Sequence, residues 1–278
     1  MKPAKAAFRA GCLALFGSHP YGCGEHGTAE SLQTFTPEIA GAFWSELFSA
    51  NSCIMGFAGD IDAETAAARA EYLDNAANWQ QKKMILPEPP EFPAESKVID
   101  LPIEREQTVV MKLLAIPPLR GETGILFHML NMAENGMNSK LFQSVREDKG
   151  LAYSVGTKAA GGFHPGVFAF SAATQAEKIA DVEECFDEEI SRLASEGVSE
   201  EEFDMARDAM LFRLARASES SHALVEFTML DMFYGEPVNA LEQLTQKLKA
   251  CTVERFNTVI RDSFTKPATV TVHAGKLP

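Results

Sequence analysis

The sequence lacks the features that define several large classes of protein. It has no apolar run of about 18 residues, so no segment is long enough for a membrane-spanning helix. Its 25 basic residues are outnumbered by 39 acidic ones, and the net charge of -14 excludes the basic surface that a nucleic-acid partner needs. The composition, 46% hydrophobic and 23% charged, instead predicts a folded globular chain.

Cysteine is also scarce, with five residues scattered along the chain and no Cys-x-x-Cys pair. This pattern favours reduced, buried thiols over a disulfide framework. Residues 1–15 lack the long apolar core of a secretory signal peptide. We therefore expect a cytoplasmic protein, and a periplasmic or organellar location stays open because Met1 need not be the native start.

Motifs for metal, nucleophilic and phosphate chemistry are missing as well. An H-x-x-E-H zinc helix would need histidine at Gly22, and at residues 128–132 Asn131 and Met132 replace its last two ligands. There is no Gly-x-Ser-x-Gly elbow and no Gly-x-x-x-x-Gly-Lys loop. The sequence alone therefore predicts no catalytic centre within this chain.

Three residues close in sequence are the remaining candidates for a metal: His19, Cys23 and His26. Their spacing could bind adventitious zinc, but an ordinary polar loop is the favoured interpretation. We predict no metal ligand in this chain.

The chain is organised around a proline-rich segment, residues 86–93, which has four prolines. Proline lacks an N–H donor and restricts the preceding residue, so neither a helix nor a central strand crosses this segment. We predict a first module at residues 1–85, a linker at 86–95 and a second module at 96–278.

Alternating apolar patterns and helix caps predict an α+β fold. The first module has three predicted helices and a buried strand at residues 52–58. The second has two strands, two helices (the later one at residues 139–149), a hairpin of strands at 152–158 and 166–172, three or four further helices, and a closing strand at 268–273.

An internal repeat connects the two modules. Residues 30–59 align without a gap on residues 246–275, with Thr36 on Thr252 and Gly59 on Gly275. In both copies a T-x-E helix start leads to an apolar segment that ends in Ala-Gly. We therefore predict a duplicated sheet-plus-helices domain, with the second copy complete and the first copy truncated.

One segment, residues 139–155, concentrates hydrogen-bond donors suited to a peptide carbonyl. Arg146 lies near the end of a predicted helix and Tyr153 at the start of the next strand. A guanidinium and a phenol can both donate to a carbonyl or its oxyanion. From physical chemistry alone the structural interpretation is favoured: Arg146 closes the helix and Tyr153 is half-buried.

This segment resembles the signature of the C-terminal half of insulinase/pitrilysin-type zinc peptidases, the inverzincins, roughly S-x-L-F-x-x-x-R-E-x-x-G-L-A-Y-S-V. Residues 19–22, 27–36 and 57–62 resemble the end of that family's N-terminal half. The resemblance covers nearly the whole chain. It implies a duplicated α+β fold and a C-terminal portion that includes the non-catalytic domain.

The resemblance also implies a function. Arg146 and Tyr153 would bind the peptide substrate across a cavity, opposite a zinc ion whose ligands lie in a missing N-terminal segment or in a zinc-bearing partner subunit. Zinc would thus be a cofactor of the complete enzyme and not of this chain, which alone should be inactive. Dimer formation is an open expectation.

Two other functions stay open at the level of sequence. The chain could be a non-catalytic relative that binds peptides or scaffolds a complex, as in respiratory and processing assemblies. It could also be an α+β domain in which Arg146 and Tyr153 are purely structural. The intact pair favours the peptidase, because a scaffold has no need of it.

Overall fold

The structure is a computed structural model that describes residues 2–24, 27–47, 53–77 and 86–278. Its helices are α1 (Pro3–Phe16), α2 (Ala29–Gln33), α3 (Pro37–Leu47), α4 (Ala63–Ala77), α5 (Gly121–Glu134), α6 (Lys140–Phe142), α7 (Ile179–Ser195), α8 (Glu200–Ser218), α9 (Ser221–Tyr234), α10 (Ala240–Ala250) and α11 (Val253–Phe264). Its strands are β1 (Lys97–Pro102), β2 (Thr108–Pro118), β3 (Ala152–Ala160), β4 (Pro165–Thr174) and β5 (Thr269–Gly275). None of the helices in the described part of the chain combines the length and apolarity needed to cross a membrane.

The chain divides into two compact units, each built from separate stretches of sequence. Unit 1 comprises Met1–Gly24, Pro89–Leu211 and Gln246–Pro278. Unit 2 comprises Glu25–Glu88 and Phe212–Thr245, and its described residues are helical or irregular. Strands and helices together confirm the α+β class.

Unit 1 is organised around a five-stranded sheet in the order β1-β5-β2-β4-β3. β1 pairs with β5 in parallel, and the other neighbours are antiparallel. Side chains alternate between the faces of β2: Met111 and Leu113 pack into the cluster beneath α1, whereas Lys112 reaches Asp187 of α7 at 2.6 Å. Both faces are therefore covered, although β3 and β1 are edge strands.

Helix α1 packs directly on the first face of the sheet, through Ala7, Leu15 and Phe16. A Cβ on Gly11 would lie 2.5 Å from a methyl carbon of Leu113, so a larger residue there would force the buried Leu113 side chain to shift. Although α1 comes from the predicted first module, it thus belongs in space to the sheet of the second. The predicted boundary at residues 86–95 separates the two copies of the repeat along the sequence, and it stays a prediction.

The opposite face is covered by α5, α7 and α11. Its core is aromatic: the ring centroids of Phe168 and Phe170 of β4 are 5.3 Å apart, and Phe168 lies 5.7 Å from Phe264 of α11. Phe186 of α7 lies 5.8 Å from Phe170. These fully buried rings fix the helices on the sheet, because each removes a large apolar area from water.

Two helices of different units begin in the same way. The N–H of Ile39 donates to Thr36 Oγ1 at 3.3 Å, and the N–H of Arg255 donates to Thr252 Oγ1 at 3.3 Å. Threonine at an N-cap satisfies a backbone donor that the helix leaves unpaired. Both caps occupy the positions that the repeat aligns, and the two aligned glycines, Gly59 and Gly275, have φ values of 134° and 151°.

Several sequence predictions differ from the structure. The predicted strand at residues 52–58 is wrong for the described residues 53–58, which pair with no other strand; an apolar segment becomes a strand only where a ladder partner exists. The helix predicted at 139–149 is instead one turn of α6 followed by a π-helix, Gln143–Asp148. Five α-helices, rather than three or four, fill residues 176–264.

Candidate functional site

Arg146 and Tyr153 are brought together by the turn between the π-helix and β3. Gly150 has a φ of 56°, and the N–H of Leu151 returns to the carbonyl of Val145 at 2.8 Å. Glycine ends the helix because the left-handed conformation costs it little. The chain reverses here, so the end of the π-helix lies beside the start of β3.

The two side chains stack in unit 1. The Arg146 Cζ lies 4.7 Å from the centre of the Tyr153 ring and 5.0 Å from that of Phe142, and Arg146 Nη1 donates to the Tyr153 carbonyl at 3.1 Å. A guanidinium is attracted to the face of an aromatic ring. Tyr153 is 77% exposed, so it is not the half-buried residue that the structural interpretation expected.

A bulge gives Tyr153 its position on the sheet. Ala152 pairs with Thr174 and Ser154 with Ala173, so Tyr153 is an extra residue in edge strand β3. Bulges re-aim side chains and are common near functional sites, as are π-helical turns. Sequence reasoning missed the bulge, the π-helix and Phe142 as a stacking partner; the Phe142–Arg146 spacing of four residues was the available signal.

A cavity adjoins Tyr153 on the same side of unit 1. The Lys178 ammonium donates to the Gly150 carbonyl at 2.9 Å, and the Thr174 hydroxyl donates to the Leu151 carbonyl at 2.6 Å. Tyr153 is thus shared by the stack with Arg146 and by the lining of this cavity.

One of the residues considered for zinc, His19, uses a ring nitrogen for a hydrogen bond within its own loop. His19 Nδ1 accepts a hydrogen bond from the N–H of Tyr21 at 3.1 Å, so the proton of the neutral ring is on the buried Nε2. Burial, and then the neighbouring His164, lower the pKa of His19. Cys23 is a free thiol, and His26 lies outside the described residues. No group of three or more potential ligands that could hold a metal occurs among the described residues.

Two buried polar clusters were not predicted from the sequence. Arg192 of α7 contacts Glu134 at 3.2 Å and also pairs with Glu189. His273 of β5 has its two ring nitrogens 2.8 Å from Asp100 and from Glu183. None of these residues lines the cavity beside Tyr153. The first cluster connects α5 with α7, and the second connects β1, β5 and α7.

Comparison with known proteins identifies the class to which this fold belongs. Residues 34–210 match the family model described as the Peptidase M16 inactive domain. The chain therefore belongs to this family, which confirms the resemblance seen in its sequence.

Particular relatives agree with this assignment. The chain is 23% identical over 261 residues to an uncharacterized zinc protease, YmxG, of Bacillus subtilis (strain 168), a match that covers 91% of this chain and 61% of the relative. The chain thus spans about three fifths of that protein.

Solved structures share the fold. A peptidase M16 inactive domain from Pseudomonas fluorescens superposes with a TM-score of 0.85 at 23% identity, over 100% of this chain and 66% of that one. A chain of complex III2 from Candida albicans superposes with a TM-score of 0.81 at 16% identity, over 99% of this chain and 67% of that one.

Proposed function

We propose that this chain is the C-terminal part of a zinc-dependent metalloendopeptidase and supplies the peptide-binding half of its active-site cavity. The observation that carries the proposal is the stack of Arg146 on the exposed Tyr153 ring. Zinc bound elsewhere in the complete enzyme supplies an activated water for amide hydrolysis. The relative YmxG, named a zinc protease, supports that assignment of the metal.

In this proposal the two side chains bind and polarise the scissile carbonyl. Arg146 is held between Phe142 and Tyr153 and by the Tyr153 carbonyl, so its guanidinium is oriented before the peptide arrives. Donors that are already oriented need no reorganisation when negative charge develops on the oxygen. The Tyr153 hydroxyl, on an exposed ring, offers a second donor.

The zinc ligands come, in our proposal, from an N-terminal segment or a partner subunit that completes the first copy of the duplicated domain. The matched caps at Thr36 and Thr252 support the duplication. In the second copy Ile260 of α11 is completely buried, whereas Trp44 of α3, which the repeat aligns with it, is 62% exposed. A helix with such an apolar exposed face is suited to packing against further protein. Dimer formation belongs to the same proposal.

We place the protein in a reducing compartment, with the cytoplasm as the first expectation. All five cysteines are free thiols, and Cys12 and Cys185 are buried. Burial raises the pKa of the Cys12 thiol to about 11, so this group stays protonated and unreactive at neutral pH.

Substitution of Arg146 by alanine in the complete enzyme tests the proposal. We expect kcat/KM to fall by about 100-fold or more, the loss typical of a donor to an oxyanion. The melting temperature should stay unchanged. Arg207→Ala is the matched control, because Arg207 also stacks on a phenylalanine, at 5.2 Å from the Phe203 ring. A loss of stability in proportion to the loss of turnover would refute the substrate-binding role.

A non-catalytic peptide-binding or scaffolding subunit is the second candidate, favoured by the structural similarity to a chain of complex III2. The two functions differ in what Arg146 does. In a scaffold, Arg146→Ala would leave the function of the assembly intact, whereas in a peptidase it would lower kcat/KM by about 100-fold or more.

A further inference from the structure

The cavity beside Tyr153 has a volume of about 180 Å³ and lies entirely within unit 1. It is lined by the start of β3, the end of β4 and the turn before α7. It is open to solvent, and because one water molecule needs only about 10–15 Å³ of such space, it is large enough for one polar side chain. It shares Tyr153 with the proposed peptide-binding pair.

The charges around this cavity are unusual for so acidic a chain. Acidic residues outnumber basic ones by 39 to 25 in the sequence, yet none lines the cavity, whereas Lys178 does. The Lys178 ammonium donates to the Gly150 carbonyl and forms no ion pair with a carboxylate of the described residues. By contrast, the Lys149 ammonium is held by Glu188 at 3.1 Å.

An ammonium bonded to a neutral carbonyl retains donors for an anion. Lysine has three N–H donors, and the Gly150 carbonyl occupies one of them. Gln107 and Gln175 also line the cavity, and a glutamine side chain has a neutral amide that can donate as well. Bonds from charged donors to a carboxylate are stronger than bonds between neutral groups.

We propose that this cavity is a subsite for a carboxylate of the bound peptide, with Lys178 as the residue that recognises it. The inference rests on the proposed function, in which Arg146 and Tyr153 hold a peptide carbonyl. Because Tyr153 belongs to both the pair and the cavity wall, the carboxylate lies close along the peptide to that carbonyl. It comes either from an aspartate or glutamate side chain or from the peptide C-terminus.

Peptide titrations measured by fluorescence anisotropy test the subsite. The probes are labelled peptides that differ only by glutamate or glutamine at scanned positions, each with a free or an amidated C-terminus. The protein is the complete protein, prepared without zinc so that the peptides are not cleaved, with wild-type sequence or with Lys178→Gln, Lys149→Gln or Arg146→Ala in this chain. Each lysine variant removes one positive charge, but only Lys178 lines the cavity.

We expect the wild-type protein to prefer one carboxylate-bearing peptide by about fivefold, the value of roughly 1 kcal/mol for a partly exposed ion pair. Lys178→Gln should abolish the preference and Lys149→Gln should keep it. A preference that follows the side chain identifies an acidic residue as the ligand, and one that follows the free terminus identifies the C-terminus.

The failures of the two proposals are distinguishable. If peptides bind in a manner that Arg146→Ala weakens but show no carboxylate preference, or lose it equally in both lysine variants, the subsite is refuted and the proposed function stands. If no peptide binds, or Arg146→Ala has no effect on binding, the proposed function and the subsite are both refuted.

Discussion

The carboxyl group of Glu134 in unit 1 is buried beside other charged side chains. Glu134 is 2% exposed, and its Oε2 has no hydrogen-bond partner. Burial, followed by the neighbouring Glu189, raises the pKa of Glu134 well above its ordinary value, against the lowering effect of Arg192. Glu202 is the third carboxylate near Arg192, at 3.9 Å. Three carboxylates around one guanidinium favour a protonated Glu134.

Glu134→Gln should therefore change the pH dependence of stability. The native state retains a proton on Glu134 that the unfolded chain releases near its ordinary pKa, so the stabilisation is present at low pH and is lost as pH rises through the folded pKa. Relative to wild type, Glu134→Gln should become more stable as pH rises, by at most about 1.4 kcal/mol per pH unit.

Urea unfolding of both proteins at a series of pH values measures this difference. Glu183→Gln, which removes a partly exposed carboxylate bonded to His273, serves as a control for charge removal. A constant difference between wild type and Glu134→Gln at every pH would contradict the prediction.

At the scale of elements, α5 closes part of the exposed edge of β3. The Asn135 side chain, just past the end of α5, accepts from the Thr157 N–H at 2.8 Å and donates to the Thr157 carbonyl at 3.0 Å. It thus pairs with β3 as another strand would. A Cβ at Gly156 would lie 2.4 Å from Asn135 Oδ1, so a larger residue there would displace this contact. Such devices protect edge strands from pairing with other chains.

Asn135→Ala should expose the backbone of Thr157 and lower the free energy of unfolding by about 1–2 kcal/mol, because the side chain's hydrogen bonds to the Thr157 N–H, the Thr157 carbonyl and the Asn131 carbonyl are lost. Hydrogen exchange should show faster exchange of the Thr157 amide. Asn135→Asp is the matched variant: it keeps an acceptor for that amide and removes the donor to the carbonyl. Unchanged protection of Thr157 in Asn135→Ala would show that the contact does not protect the edge.

At the scale of the whole molecule, the two units differ in how much apolar surface they bury. Unit 1 buries both faces of its sheet, whereas in unit 2 α2, α3 and α9 contain no buried residue. Exposed apolar residues follow one another along α3, with Ile39 at 48% and Phe43 at 65%. This is the face that we propose the additional segment or partner subunit covers.

Phe43→Ala should distinguish this chain from the complete protein. In the chain alone the exposed ring contributes little, and we expect a change in the free energy of unfolding below about 0.5 kcal/mol. In the complete peptidase, where we propose that the face is covered, the loss should be about 3 kcal/mol, as for a buried phenylalanine. Thermal and urea unfolding of both forms measure the two values.

Leu13→Ala is the control, because Leu13 is 57% exposed on α1 of unit 1 and should have a small effect in both forms. Equal effects of Phe43→Ala in the chain and in the complete protein would mean that α3 is not covered by the additional segment or subunit.

Local patterns in the sequence predicted many of the elements, most of them in unit 1. The strands of the hairpin, the closing strand, the N-caps at Thr36 and Thr252 and the glycine that ends the helix before β3 all follow from periodicity, cap chemistry or backbone conformation. The family resemblance at residues 139–155 is confirmed by the family match, whereas the roles of Arg146 and Tyr153 remain a proposal.

The sequence by itself determined the α+β class, the positions of these elements and the pair of residues worth testing, because such features depend on neighbours within a few positions along the chain. Only the tertiary structure decided that Arg146 stacks between Phe142 and an exposed Tyr153, that Glu134 is buried and that residues 53–58 form no strand. Stacking, desolvation and strand pairing depend on which distant residues meet, and no local pattern specifies that.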